Sequence, residues 1–232
     1  DEVESAKLLL AAGADVNEKA PNGMTPLVLA SASGQQEVSI FLLDNGADPN
    51  ARDELGATAL HYAVTKGITA LNQVRYANYV AHIFRPSLTN LVKSLLAHKA
   101  DPNVAVDKPV PNGGSRSTAI VGATPYLLAA ASPDPEVMRL LAAAGADPKA
   151  KTRNGLTSLM LAAGLGRGQD FTDPEKLIAL EAVRIAFDAG IDANAATEEG
   201  LTALHGAAAN GADGGVDFLV SKGAKMDVRD RN

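Results

Sequence analysis

The sequence predicts an all-α protein, a solenoid of helix–turn–helix units linked by β-hairpin-like fingers. Three observations lead to that fold class. The signature Gly-Ala-Asp-Val-Asn at Gly13–Asn17 returns as Gly-Ala-Asp-Pro-Asn at Gly46–Asn50 and Gly-Ala-Asp-Pro-Lys at Gly145–Lys149. Looser copies stand at Lys99–Asn103, Gly190–Asn194 and Gly223–Asp227. A second signature, Gly-x-Thr-x-x-x-x-Ala, recurs with its threonine at Thr25, Thr58, Thr124, Thr157 and Thr202. Between the two signatures, apolar residues fall at i, i+3, i+4, one face of a helix. Units of this kind bury their apolar faces only by stacking on one another.

The first helix of each unit starts at the threonine. A threonine hydroxyl satisfies an orphan backbone N–H, and proline tolerates the first helical position, where its missing N–H costs nothing. Thr25-Pro26 and Thr124-Pro125 keep both residues, and the other three copies keep only the threonine. Leu27, Leu60, Tyr126, Leu159 and Leu204 then point into a core. Ala30, Ala63, Ala129, Ala162 and Ala207 follow three residues later, where a small side chain lets adjacent helices approach. The second helix carries Val38, Phe41 and Leu42 in one copy, Val137, Leu140 and Leu141 in another, and Val183, Ala186 and Phe187 in a third. Gly46, Gly145, Gly190 and Gly223 sit where it stops, a place that wants positive φ. Lys99 takes that position once, at a cost of roughly 1 kcal/mol relative to glycine.

Helix–turn–helix–hairpin units with Thr-Pro-Leu-His-x-Ala and Gly-Ala-Asp-x-Asn signatures resemble the ankyrin repeat, whose period is about 33. The resemblance covers essentially the whole chain as a single domain, residues 1–232. Residues 1–17 form a partial repeat, 18–50, 51–103, 104–149, 150–194 and 195–227 form repeats, and 228–232 begin another. It implies a non-enzymatic protein–protein interaction module, binding through the finger tips and the concave face of the first helices. The alternative is a structural spacer or regulatory arm of a larger protein.

The spacing departs from the period in three places. Gly13 to Gly46 and Gly190 to Gly223 are each 33 residues, whereas 46 to 99, 99 to 145 and 145 to 190 are 53, 46 and 45. The threonine markers put the first and third enlargements between the two helices of a unit and the second in a finger. The first, residues 67–86, has Ile68, Leu71, Val74, Tyr79, Ile83 and Phe84 at helix-like spacing, with Arg75 and Arg85 and no acid. It reads as a helix folding back over apolar surface, or as a contact surface using Tyr76, Tyr79 and Arg75. The second, residues 104–117, is turn chemistry, with Pro109, Pro111 and Asn112-Gly113-Gly114 and the cations Lys108 and Arg116. A long finger beside the binding face is a recognition element or an unpaired loop. The third, residues 164–175, ends in a helix start: Thr172 with Glu175 fits a capping box, and Asp173 ahead of Pro174 fits a cap. Gly164, Gly166 and Gly168 are glycines ahead of a helix, but no strand precedes them and no Lys-Ser/Thr follows, so a linker is expected rather than a phosphate site. The first and third enlargements are expected on one edge of the stack, the long finger on the other.

Composition narrows the function. A net charge of −6 argues against a general affinity for nucleic acid or anionic membrane. No apolar run approaches 18 residues. With no cysteine there are no disulfides, thiolate nucleophiles or zinc sites of the usual kinds, and with 4% aromatics no large aromatic ligand cavity is expected. His61, His82, His98 and His205 form no metal-ligand pattern, and no cofactor or metal is expected. The resemblance implies a structural, hydrogen-bonding role for His61 and His205. Asp53-Glu54 and Glu198-Glu199 fall at finger tips, where solvated carboxylates are the ordinary case. Serines lack a Gly-x-Ser-x-Gly setting, so no catalytic constellation is expected.

Asp1–Gly13 reads as a second helix without its first, and the last residues begin a finger, so a fragment of a longer chain is expected. Low lysine and absent cysteine lean toward a bacterial cytoplasm or periplasm. The partner-binding residues expected are Glu54, Leu55, Lys66, Tyr76, Tyr79, Lys108, Arg116, Arg153, Glu198 and Glu199. Pro21, Asn22, Met24, Ala57, Thr65, Ile120, Val121, Ala123, Asn154, Leu156 and Leu201 share their motif positions. The partner is another protein, met by a monomer without nucleic acid or membrane.

Overall fold

Local chemistry builds the helices of the computed structural model, which describes residues 2–65, 88–108, 121–166 and 171–231. The first-row helices are α2 (Pro26–Ala32), α4 (Ala59–Val64), α6 (Pro125–Ala131), α8 (Ser158–Ala162) and α10 (Ala203–Ala209). The second-row helices are α1 (Glu2–Ala11), α3 (Gln36–Asp44), α5 (Thr89–Ala97), α7 (Pro135–Ala143), α9 (Asp173–Asp188) and α11 (Asp213–Ser221). Thr25, Thr124 and Thr157 accept from the backbone N–H three residues on, at 3.3–3.4 Å, and so cap α2, α6 and α8. Proline occupies the first turn of α2 and α6.

The second-row helices stop alike. Gly46, Gly145, Gly190 and Gly223 have φ of 83° to 89°, and Lys99 adopts φ 68° in the same place. The chain then turns so that Ala47, Ala100, Ala146 and Ala224 donate back to Leu42, Leu95, Leu141 and Leu219. That six-to-one bond closes the helix end and needs the left-handed residue before it.

Stacking runs in two rows. Helix α2 packs on α3 and α4, α4 on α6, α6 on α8 and α8 on α10. Behind them α1 packs on α3, α3 on α5, α5 on α7, α7 on α9 and α9 on α11. One apolar core runs the length of the stack, from Leu27 and Leu60 through Tyr126 and Leu159 to Leu219, with Leu204 only partly buried. The small residues Ala63, Ala129, Ala162 and Ala207 are buried between the rows.

The third enlargement partly becomes helix. Helix α9 has 16 residues where α7 has nine, because nothing after Pro174 breaks it. Thr172 N–H bonds Glu175 Oε2 at 2.9 Å, forming the expected capping box. The added turns expose Leu177 (73%) and Ile178. The first enlargement and most of the long finger lie outside the described residues. Among the described residues no helix is long and apolar enough to cross a membrane.

Candidate binding surface

Three of the fingers are short hairpins closed by their own backbone. Asp53 N–H bonds Ala57 O at 2.9 Å, Thr152 bonds Leu156 O at 3.1 Å, and Thr197 bonds Leu201 O at 2.9 Å. The tips that project from them carry charge. Glu54, Lys108, Arg153, Glu198 and Glu199 are exposed, and none makes a side-chain hydrogen bond or ion pair among the described residues. Leu55 differs from the other expected contact residues. Only 6% of it is exposed, and its carbonyl accepts from Asp107 and Lys108, so its side chain packs between fingers instead of facing outward. Ala57, Thr65, Val121, Ala123 and Leu156 are buried too, whereas Pro21 and Asn22 are exposed. Lys66, Tyr76, Tyr79, Arg116 and Ile120 lie outside the described residues.

The finger at 51–58 is built on a buried carboxylate. Asp53 is not solvated as expected: only 8% of it is exposed. Its Oδ1 accepts from Leu55 and Ala57 N–H at 2.9 Å each, and its Oδ2 accepts from the Tyr62 hydroxyl at 2.6 Å. Three donors replace the water that burial removes. Burial and the Asp53 carboxylate push the Tyr62 phenol well above its usual 10. Arg52 reaches sideways to the long finger, bonding Asp107 Oδ2 at 2.8 Å and Ala105 O at 2.9 Å.

His61, His98 and His205 each hold a hydrogen bond near a helix end. His61 is fully buried, and its Nδ1 accepts from Thr58 N–H at 3.0 Å, which leaves the ring proton on Nε2. Burial pulls its pKa down to about 4, against a partial opposing effect from the Ala123 and Val104 backbone. His205 makes the same bond to Thr202 N–H at 3.2 Å. His98 Nδ1 bonds Ser94 O at 2.8 Å, and its Nε2 lies 3.5 Å from Asp44. His82 lies outside the described residues.

A set of residues not singled out in the sequence ties successive fingers together. Asn17 Nδ2 donates to Gly46 O, and its Oδ1 accepts from Asp48 N–H, at 3.1 and 2.7 Å. Asn50 does the same to Lys99 and Asp101, Asn103 to Gly145 and Asp147, and Asn194 to Gly223 and Lys225. Within each signature the aspartate holds the asparagine N–H, as Asp48 does for Asn50 at 2.9 Å. The last letter of the repeated signature is the signal that marks these residues.

Gly164, ahead of α9, has a packing role. At Gly164 a Cβ would meet Asn210 at 2.7 Å and Phe171 at 2.9 Å, and Asn210 Nδ2 bonds its carbonyl at 3.0 Å. An apolar groove of about 390 Å³ lies between α1, α2 and α3, lined by Leu9, Leu10, Leu29 and Val38 among others.

Comparison with known proteins agrees with this geometry. Residues 1–82 match the family model described as ankyrin repeats (three copies), and residues 199–231 match the ankyrin repeat model. The chain is 32% identical over 239 aligned positions to the E3 ubiquitin-protein ligase KEG of Arabidopsis thaliana, covering 96% of this chain and 14% of that protein. It is 47% identical over 58 positions to a putative ankyrin repeat-containing protein of Treponema pallidum, 25% of this chain and 20% of that one. It is 38% identical over 84 positions to an ankyrin repeat and KH domain-containing protein of Caenorhabditis briggsae, 35% of this chain and 3% of that one. The chain thus spans a fifth or less of the length of each of these relatives.

Proposed function

Because the chain belongs to the ankyrin-repeat family, whose repeats are in general non-enzymatic protein–protein interaction modules, we propose that it binds a partner protein through its finger tips and the concave face of its first-row helices. The observation that carries the reading is the row of unpaired charges. Glu54, Lys108, Arg153, Glu198 and Glu199 stand on finger tips, the first beside the buried bonds of Asp53, and among the described residues none is neutralised by a side-chain partner. Tip charges on a rigid frame supply register and on-rate to a complementary surface at low ordering cost. Leu55 contributes by holding the finger in place, and Lys66, Tyr76, Tyr79 and Arg116 are counted among the partner-binding residues on sequence grounds. The repeat divisions given by the signatures are the units of this array. The chain acts as a monomer and carries no catalysis of its own, and its charge of −6 disfavours nucleic acid.

Photo-crosslinking residues placed singly at Glu54, Arg153 and Glu199, and for comparison at Asp188 and Asp217 on the second row, test the reading in the full-length protein. Adducts with one partner protein from the tip positions and none from the second row are expected. Adducts from the second row alone would overturn it. Deleting 104–117 should weaken the tip adducts if the long finger takes part.

A further inference from the structure

The asparagine clamps and finger contacts repeat along the stack with one interruption. At the loops around Gly13 and Gly46, Asn17 clamps the base and Glu54 N–H bonds Asn22 O near the tip at 3.0 Å. At the next seam Asn50 clamps the base, and Asp107 N–H bonds Leu55 O at 2.9 Å. At the third, Asn103 clamps and Arg153 N–H bonds Val121 O at 2.8 Å. At the last, Asn194 clamps and Arg231 N–H bonds Glu199 O at 2.9 Å.

The seam between loops 145–157 and 190–202 has neither. Lys149 occupies the clamp position and cannot accept a hydrogen bond. Among the described residues no backbone bond joins Asn154 O to Glu198 N–H, the pair that corresponds to the tip contacts elsewhere. The tips also stand further apart. A Cβ on Gly23 or Gly122 would meet the next finger's backbone at 3.1 or 3.0 Å, but one on Gly155 would meet nothing nearer than 3.8 Å.

Behind this seam the helices are fastened. The Phe187 and Phe218 rings meet edge to face at 5.6 Å, and Arg184 lies 5.2 Å from the Phe218 centroid. Lys222 Nζ lies 5.6 Å from both rings. Asn210 is bonded to Gly164 O, and a Cβ on Gly206 would meet Leu165 N at 2.7 Å, so α8 and α10 sit close.

We infer that this seam is a hinge: the fingers 145–157 and 190–202 spread and close while the α9–α11 aromatic contact stays shut. Close-packed cores resist continuous deformation, so relative motion concentrates where cross-links are fewest. In a linear array each unit touches only its neighbours, so one loose seam moves everything beyond it as a body. The motion changes the curvature of the tip surface at Arg153, Glu198 and Glu199. It lets the last fingers adjust to a partner without unfolding.

The chain has no cysteine, so paired spin labels can be placed at will. Labels at Arg153→Cys with Glu198→Cys should give a broader distance distribution than labels at Asn22→Cys with Glu54→Cys. Labels at Asp188→Cys with Asp217→Cys should stay narrow. Lys149→Asn restores the clamp and should narrow the first distribution. It should also slow exchange of the Asp192 amide about tenfold, the protection expected of one added hydrogen-bonded rung. As a second variant, Asn17→Lys should broaden the Asn22–Glu54 distribution. Equal widths at the two tip pairs, or no narrowing with Lys149→Asn, would overturn the hinge. So would broadening at Asp188–Asp217, since whole repeats would then be separating.

Discussion

Acidification provides a direct test of the His61 environment. The ring is fully buried, and its Nδ1 is already occupied as an acceptor by Thr58 N–H at 3.0 Å. A second proton would place N–H against N–H in a site closed to solvent. The folded chain therefore keeps His61 neutral down to about pH 4, whereas an unfolded chain protonates it near 6.5. Between those values the unfolded state binds the extra proton, so stability falls as pH falls. At 1.36 kcal/mol per unit, the gap amounts to about 3 kcal/mol, fully present above pH 6.5 and lost by about pH 4. The comparison variant is His61→Asn, which keeps an acceptor near Thr58 N–H but does not titrate. Urea unfolding followed by circular dichroism at about pH 7.5 and about pH 4 measures both proteins. The native chain should lose about 3 kcal/mol more than the variant across that range. Identical losses would show that His61 is not held neutral by burial, and the account of this first-row helix start would fail.

Three further outcomes follow from named contacts. Lys99→Gly should stabilise by about 1 kcal/mol, read as a shift in urea midpoint, because φ 68° strains a side chain that glycine lacks. Tyr62→Phe removes a donor from the buried Asp53 and should destabilise by about 1–3 kcal/mol in the same assay, while Tyr126→Phe serves as a comparison. Asn103→Ala breaks the bonds to Gly145 O and Asp147 N–H and should cost about 1–2 kcal/mol, whereas Lys149→Ala, which removes no clamp, should be close to neutral by thermal unfolding.

Whatever the chain decides over a few residues is legible in the sequence. Thr25, Thr124 and Thr157 cap because the hydroxyl and the N–H it satisfies are three residues apart. Gly46 and Lys99 end their helices by a single backbone angle, and Leu27, Leu60 and Leu159 face inward because 3.6-residue periodicity puts them on one side. The family and the all-helical stack follow from those local signals repeated. Exposure at the tips did not follow. Asp53 and Glu54 are neighbours, yet one is buried beneath Tyr62 and the other is open to solvent. Leu55 looked like a tip residue and is covered by Asp107 and Lys108, more than 50 positions later. The asparagine clamps join residues 29 to 51 apart, and the missing one at Lys149 matters only because stacking sets it beside Gly190. Short-range bonds are determined by neighbours in the chain. Burial and cross-links between units depend on which surfaces the stack brings together, and only the assembled array decides that.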